Sequence, residues 1–456
     1  MDYKTYTLRN FKNIPQLSSI PEDKLFQIDV VGRVLPFKSN NYVVNELIDW
    51  DNFSRDPIFN LNFPNREMLK REHFNAISEL ISSGAGDTAI QIKADQIRFD
   101  LNPHPEGQLE YNVPLFRGES LLGLQHKYRE TMLFFPSQGQ TCHAYCTFCF
   151  RWPQFTGLSG LKFAMKQTDK LIGYLKEHPE ISDILITGGD PMVMSAKNFS
   201  LYIDALLEAD LPNLKNIRIG TKTLAFWPYR YISDPDAEEL LSVFRKIVDH
   251  GKHLAFMAHF THPVELSTPA VQEAIGKILK TGAQIRTQSP VMNHINASPG
   301  IWADMWRKQV SLGMIPYYMF MARNTGARDY FSIPLVDAWN IFRLAYSHVS
   351  GICRTVRGPI MSANPGKVQI VGVTVVKGEK AFVLNFLQAR NKEWVGRPFF
   401  ASFDDKAEWL NHLKPAFGEP EYFYTEEFKE MLNIDNDNLV PVEVEFNDSF
   451  GRCSED

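Results

Sequence analysis

The chain predicts an α/β protein: a partial (β/α)6 barrel, preceded by a helical region and followed by a C-terminal segment. Three observations predict it. From Thr131 a strand-then-helix alternation continues for about two hundred residues, giving six units of similar length. Alternation of that kind specifies a parallel sheet with helices outside, which right-handed crossovers would curl. The two stretches richest in chemistry follow the first and second strands, at the end where such barrels carry their sites.

Residues 1–125 read as an accessory, mostly helical region. A helix is expected over 65–84, with Phe74, Ile77, Leu80 and Ile81 on one face and Gly84 as its stop. Asn102 to Gly107 reads as a turn-rich connector. The barrel occupies 126–350, with strands expected at 131–135, 183–186, 216–219, 253–257, 284–288 and 316–321. Its first helix buries Leu171, Ile172 and Leu175. The second starts at Ser195, a good N-cap, and buries Phe199, Ile203 and Leu206. Further helices are expected over 236–250, 268–280, 301–312 and 335–348. In the last segment, 351–456, residues 368–376 and 380–387 alternate as a hairpin across Lys377-Gly378-Glu379. A mixed helical and acidic tail follows, where Cys453 stands as a free thiol.

With 44% hydrophobic and 22% charged residues, the composition is that of a soluble globular protein. A formal charge of −5 leaves no basic footprint for nucleic acid or for a membrane surface. The N-terminus lacks the apolar core of a signal peptide, and no apolar run is long enough to span a bilayer. Five cysteines, three of them clustered, argue for a reducing, cytoplasmic setting rather than a disulfide framework.

The cluster is Cys142-His143-Ala144-Tyr145-Cys146-Thr147-Phe148-Cys149, a CxxxCxxC loop directly after the first strand. Three soft thiolates at this spacing can close on three irons of a [4Fe–4S] cubane and leave the fourth iron open. An open iron can chelate the amino and carboxylate groups of S-adenosylmethionine (SAM), whose sulfonium an electron from the cluster then cleaves to a 5′-deoxyadenosyl radical. The alternative is a structural zinc ion completed by His143 or Cys353. A lone triplet leaves that tetrahedron short, and a zinc clip has no reason to sit at the active end of a barrel.

The loop and its Phe150-Arg151 continuation resemble the lysine 2,3-aminomutase family of radical SAM enzymes. The same holds for His126-Lys127-Tyr128, Gly188-Gly189-Asp190, Arg218-Ile219-Gly220, His259-Phe260-Thr261-His262-Pro263, Gln288-Ser289 and Pro316-Tyr317-Tyr318. Asp56-Pro57-Ile58-Phe59 adds to it, and the resemblance runs from about residue 50 to about residue 390. The paired C-terminal cysteines of some members are absent. The resemblance implies a second cofactor, pyridoxal 5′-phosphate (PLP), held on Lys367 of Ala363-Asn364-Pro365-Gly366-Lys367. By composition alone that lysine would be a surface turn residue. It further implies that Gly188, Gly189 and Asp190 line the SAM amino group, where the plain reading is a tight strand-to-helix turn. His259 and Gln288 would contact SAM, Arg151 would grip the substrate α-carboxylate, and Lys127 and Arg129 would serve the PLP phosphate. A flavodoxin- or ferredoxin-type reductant and a homo-oligomer are implied too.

In the lysine enzymes two carboxylates hold the substrate's side-chain ammonium. Their positions correspond to Arg323 and Arg357 in this chain, which reverses the charge the pocket tolerates. The expectation is a 2,3-aminomutase moving the α-amino group of an acidic amino acid, glutamate- or aspartate-like, to its β-carbon. The plain reading of Arg323 is an ion pair with Asp329 or Asp337. Three alternatives stay open: another radical outcome with both cofactors (elimination, epimerisation or decarboxylation), a radical SAM enzyme without PLP, and a zinc-stabilised scaffold.

Overall fold

A computed structural model describes residues 1–157 and 163–438; Cys453 and the acidic tail lie outside the described residues. An eleven-stranded sheet organises the chain, with strands hydrogen-bonded in the order of the sequence. They are β1 (Leu124–Tyr128), β2 (Thr131–Phe134), β3 (Asp183–Ile186), β4 (Asn216–Thr221), β5 (His253–His259) and β6 (Gln284–Val291). The series continues with β7 (Ile315–Met321), β8 (Arg357–Ser362), β9 (Gly366–Val376), β10 (Glu379–Ala389) and β11 (Pro398–Ser402). Strands β2 to β8 run parallel. Strand β1 and strands β9 to β11 are antiparallel to their neighbours.

Each parallel step crosses through a helix, because parallel neighbours need a long return. These are α1 (Thr168–Glu177), α2 (Ala196–Glu208), α3 (Ala237–Asp249), α4 (Pro269–Leu279), α5 (Pro299–Ser311) and α6 (Leu335–Ser347). Their starts are written locally. Ser195 Oγ accepts the Asn198 amide at 3.2 Å, and Thr268 Oγ1 accepts that of Val271 at 3.3 Å, with Pro269 at the first helical position. Their inner faces follow the helical period: in α3, Leu240, Leu241, Phe244 and Ile247 are buried while Glu238 and Glu239 open the first turn.

The six expected strands and their helices are present. The sheet holds one parallel strand more, because β8 receives the chain from α6; its Gly358-Pro359 interrupts the β-branched pattern that marks a strand. The helix expected over 65–84 is shorter. Asn65 Oδ1 caps a single turn, Arg66–Met68, the chain then extends at Leu69, and the helix proper is Arg71–Ser82. Phe74 and Ile77 face the core as expected, and Gly84 ends the segment at φ +70°. The hairpin of β9 and β10 turns at Lys377 and Gly378, both at positive φ (+50° and +86°), as a two-residue turn requires.

The N-terminal residues form helices Glu22–Val34 and Asp87–Asp100 and an antiparallel ribbon of Thr5–Thr7 with Lys38–Asn40. They pack on the sheet rather than beside it: one contiguous core reaches from Tyr6 to Tyr424. Among the described residues no helix is long and apolar enough to cross a membrane.

Candidate active site

Alternation along the strands builds one cavity of about 320 Å³. In β2, Met132 and Phe134 are fully buried in the core, whereas Thr131 and Leu133 border the cavity. The same face supplies Lys127 from β1, Arg218 from β4, His259 from β5, Gln288 from β6, Tyr318 from β7, Ser362 from β8 and Lys367 from β9. All three cysteines of the loop after β2 reach this cavity, as do Gly188, Gly189, Asp190, Arg151 and Arg323.

The cysteine loop is held from both sides. Its own chain turns through Cys149 N–H to Cys146 O (3.1 Å) and Trp152 N–H to Cys149 O (3.2 Å). N-terminal residues supply the rest. Tyr145 N–H donates to Lys38 O (2.8 Å) and Thr147 N–H to Leu61 O (2.9 Å). Asn62 Nδ2 donates to Tyr145 O (3.0 Å), and Asn40 Nδ2 donates to His143 O (3.2 Å) and Phe226 O (2.9 Å). On the other side, Asp190 N–H donates to Thr141 O at 2.7 Å. A Cβ on Gly189 would lie 2.5 Å from that same carbonyl oxygen, so only glycine lets the two loops meet.

All three thiols are free, and burial pushes each pKa up, that of Cys149 to about 11. Such thiols stay protonated until a metal displaces the proton. Among the described residues no three His, Cys, Asp or Glu side chains gather tightly enough for a single ion. A cubane spreads its thiolates over separate irons and needs no such convergence. Each thiol also has a nearby cation: Lys38 for Cys142, Lys222 for Cys146 and Arg151 for Cys149. Soft donors, paired positive charge and an adjoining cavity fit a [4Fe–4S] cluster with an open iron.

Asp190 is occupied within the protein. Its carboxylate accepts from Thr221 Oγ1 (2.7 Å), Thr223 Oγ1 (2.9 Å) and the amides of Met192 (3.0 Å) and Lys222 (2.8 Å). It therefore knits the loops after β3 and β4 beneath the cysteines. His259 is neutral, its pKa drawn down to about 3 by burial and then by Lys222.

Lys367 is the second residue of β9, whose first, Gly366, sits so close to the β10 backbone that a Cβ would collide with Gln388 O. Its Nζ donates to Gln388 Oε1 (2.5 Å) and lies over the rings of Tyr128 (5.3 Å) and Tyr318 (5.0 Å). Burial, followed by the Arg218 and Arg357 guanidiniums, draws its pKa down to about 7. A buried, aromatic-flanked lysine that is half neutral at neutral pH fits the imine former PLP needs. The loop before it is braced by Glu106, whose carboxylate accepts from Asn364 N–H (2.6 Å) and the Trp409 indole (2.7 Å).

Arg151 lies against Phe135 (4.2 Å) and Phe150 (5.0 Å); Arg323 lies against Phe150 (4.4 Å) and donates to Ser362 Oγ (3.1 Å). Burial, then Arg323, lowers the Arg151 pKa to about 9. Lys127 Nζ donates to Ala363 O (2.5 Å), and burial holds its pKa well below the lysine range. Among the described residues no carboxylate lies within 4 Å of these three cations, so Arg323 pairs with neither Asp329 nor Asp337. Arg218, by contrast, is paired with Asp183 at 2.7 Å.

Two expected residues stand apart from the cavity. Arg129 is exposed in the turn between β1 and β2, where its carbonyl accepts from His126. Arg357 stacks on Tyr317 (4.7 Å) and Tyr318 (4.6 Å) outside the lining. Conversely, Glu106 and Lys222 line the cavity without having been singled out, and Tyr128, quoted only within a motif and given no role, lines it as well. Glu106 lies in a turn whose Pro-Gly composition masks it, and a lone lysine or tyrosine at a strand end gives no local signal.

No family model matches the chain. A protein of Aquifex aeolicus named for L-lysine 2,3-aminomutase is 28% identical over 403 residues, 88% of this chain and 94% of that one. The L-lysine 2,3-aminomutase of Bacillus subtilis is 24% identical, covering 76% of this chain and 63% of its own length. The glutamate 2,3-aminomutase of Clostridioides difficile is 25% identical, over 46% of this chain and 47% of its own. Among solved structures, Streptococcus suis SuiB aligns with TM-score 0.34 at 9% identity, over 61% of this chain and 57% of its own, too distant to carry an argument.

Proposed function

Since the chain is a homologue of the lysine 2,3-aminomutases, we propose that it is a radical SAM, PLP-dependent 2,3-aminomutase that acts on an amino acid with an anionic side chain. The observation that carries the substrate class is the set of cavity-lining cations, Arg151, Arg323 and Lys127, none with a carboxylate within 4 Å among the described residues; Glu106, which shares the lining and acts on Lys127 and Arg323, is engaged by Asn364 N–H and the Trp409 indole. A second ammonium brought among them would meet like charge in a desolvated site. The cavity lining also supports the fold reading. Nine adjacent strands at a spacing of about 4.8 Å would span roughly 38 Å if flat. A single cavity bordered from β1 to β9 is what a sheet curled into a partial barrel provides.

Bound in this cavity, the cluster with SAM would supply hydrogen-abstracting radical chemistry, and PLP would supply an extended π system. The protein's own side chains provide placement. Lys367, half deprotonated at neutral pH, offers the amine that anchors PLP. Arg151 presents a planar fork to the substrate α-carboxylate, and Arg323, held by Ser362 and Phe150, meets the side-chain anion. Lys127 offers its ammonium to the PLP phosphate. His259, uncharged, and Gln288 offer hydrogen bonds to SAM without adding charge. Phe148, Phe150, Tyr128 and Tyr318 line the wall and keep water from the reacting carbons.

The test is anaerobic incubation with SAM, PLP, dithionite and a panel of amino acids labelled with 15N at the α-position. The expected result is 15N on the β-carbon of an acidic amino acid. Turnover of lysine at a comparable rate removes the substrate assignment; labelled ammonia with no β-amino product removes the aminomutase reading. Arg323→Asp is expected to cost the acidic substrate about 2–5 kcal/mol, roughly thirtyfold or more in kcat/KM.

A further inference from the structure

The three cations beside the thiols are not equivalent. Lys222 is neutralised by Glu265, a fully buried carboxylate 2.5 Å from its ammonium. Arg151 lines the cavity and is available to substrate. Lys38 does neither. It opens the short strand Lys38–Asn40, pairs with Thr7 across the N-terminal ribbon, and stands behind the cysteine loop, outside the cavity lining. Its Nζ contacts Thr141 Oγ1 at 3.4 Å, next to Cys142, and lies 5.7 Å from the centre of the Tyr145 ring. Among the described residues no carboxylate lies within 4 Å of it.

A cubane on three thiolates carries one net negative charge before reduction and two after it, and its potential follows net charge and solvent exposure. A fixed positive charge held just behind the loop therefore favours the reduced state more than the oxidised one. We propose that Lys38 is a tuning residue, supplied by the N-terminal ribbon, whose uncompensated ammonium raises the reduction potential of the cluster. The backbone carbonyl of the same residue holds Tyr145 N–H, so the side chain can be exchanged while the loop keeps its tether. This inference rests on the cluster reading above, and touches neither substrate nor PLP.

The experiment is an EPR-monitored redox titration of the anaerobically reconstituted full chain without SAM, comparing the parent with Lys38→Met, Lys38→Gln and Lys38→Arg, with iron measured in each. Lys38→Met and Lys38→Gln should load iron as the parent does and shift the one-electron equilibrium against reduction by roughly tenfold, about 59 mV. Lys38→Arg should restore most of the shift. Lys12→Gln, which removes an exposed lysine charge from the same N-terminal region, should leave the potential in place. An unchanged potential in fully loaded Lys38→Met overturns the proposal. So does failure of both neutral variants to load iron while Lys38→Arg loads, since that result assigns Lys38 to loop assembly. A parent chain that binds no iron refutes the cluster reading instead, leaving the two failures distinct.

Discussion

Lys367 owes its chemistry to its surroundings. At a pKa of about 7 half of its amines are neutral at neutral pH, against about one in three thousand for an ordinary lysine. The rate of PLP capture by the apo chain should therefore rise through pH 7 and level off above it; an inflection near 10 would contradict the buried setting. Between about 7 and 10.5 the unfolded chain holds a proton that the folded site has shed. This group accordingly makes the apo chain more stable as pH rises across that window and adds nothing above it. Borohydride reduction followed by peptide mapping should mark Lys367 with PLP in the parent and leave Lys367→Ala unmarked; PLP retained covalently by the variant would sink the assignment. The sequence identified this lysine only through family resemblance, since its partners Gln388, Tyr128 and Tyr318 come from three other strands, two of them distant in the chain. Arg129 and Arg357 show the converse. Both lie near residues that reach the cavity, but one is exposed in a turn and the other stacks on two tyrosines.

At the scale of elements, one pair of loops and one pair of strands meet through backbone. Gly189 admits the cysteine loop against the loop after β3, and Gly366 admits β9 against β10. Gly189→Ala should retain the secondary structure, lose about 1–3 kcal/mol to overpacking, and bind less iron on reconstitution. Full iron and an unchanged thermal midpoint would show that the loops can give way. Strands and helices of the alternating units were legible in the sequence because their faces follow local periods, as in α3 and β4. Strand β8 was not, since Gly358 and Pro359 erase the pattern and its pairing with Tyr318 and Phe320 is a tertiary fact. The helix expected over 65–84 was read too long for a similar reason: a regular apolar spacing continues across the point where the chain extends at Leu69.

Across the whole molecule, the N-terminal residues are part of the site rather than an appendage. Residues 38–62 supply five hydrogen bonds to the backbone or side chains of the cysteine loop. Nothing in their composition announces this, because the partners lie about a hundred residues away. Asn40→Ala, which removes buried donations to His143 O and Phe226 O, should cost about 1–3 kcal/mol and hasten cluster loss in air; unchanged stability and lifetime would deny the clamp. The proposed function stands on one arrangement: three cysteine thiols reach the cavity that Lys367 also enters, placed to hold a cluster with one iron free. Low-temperature EPR of the anaerobically reconstituted, dithionite-reduced chain, recorded before and after SAM is added, tests it most directly. The account predicts a [4Fe–4S]+ signal whose shape changes when SAM binds the free iron. A chain that shows no such signal, or one that SAM leaves unaltered, would contradict it.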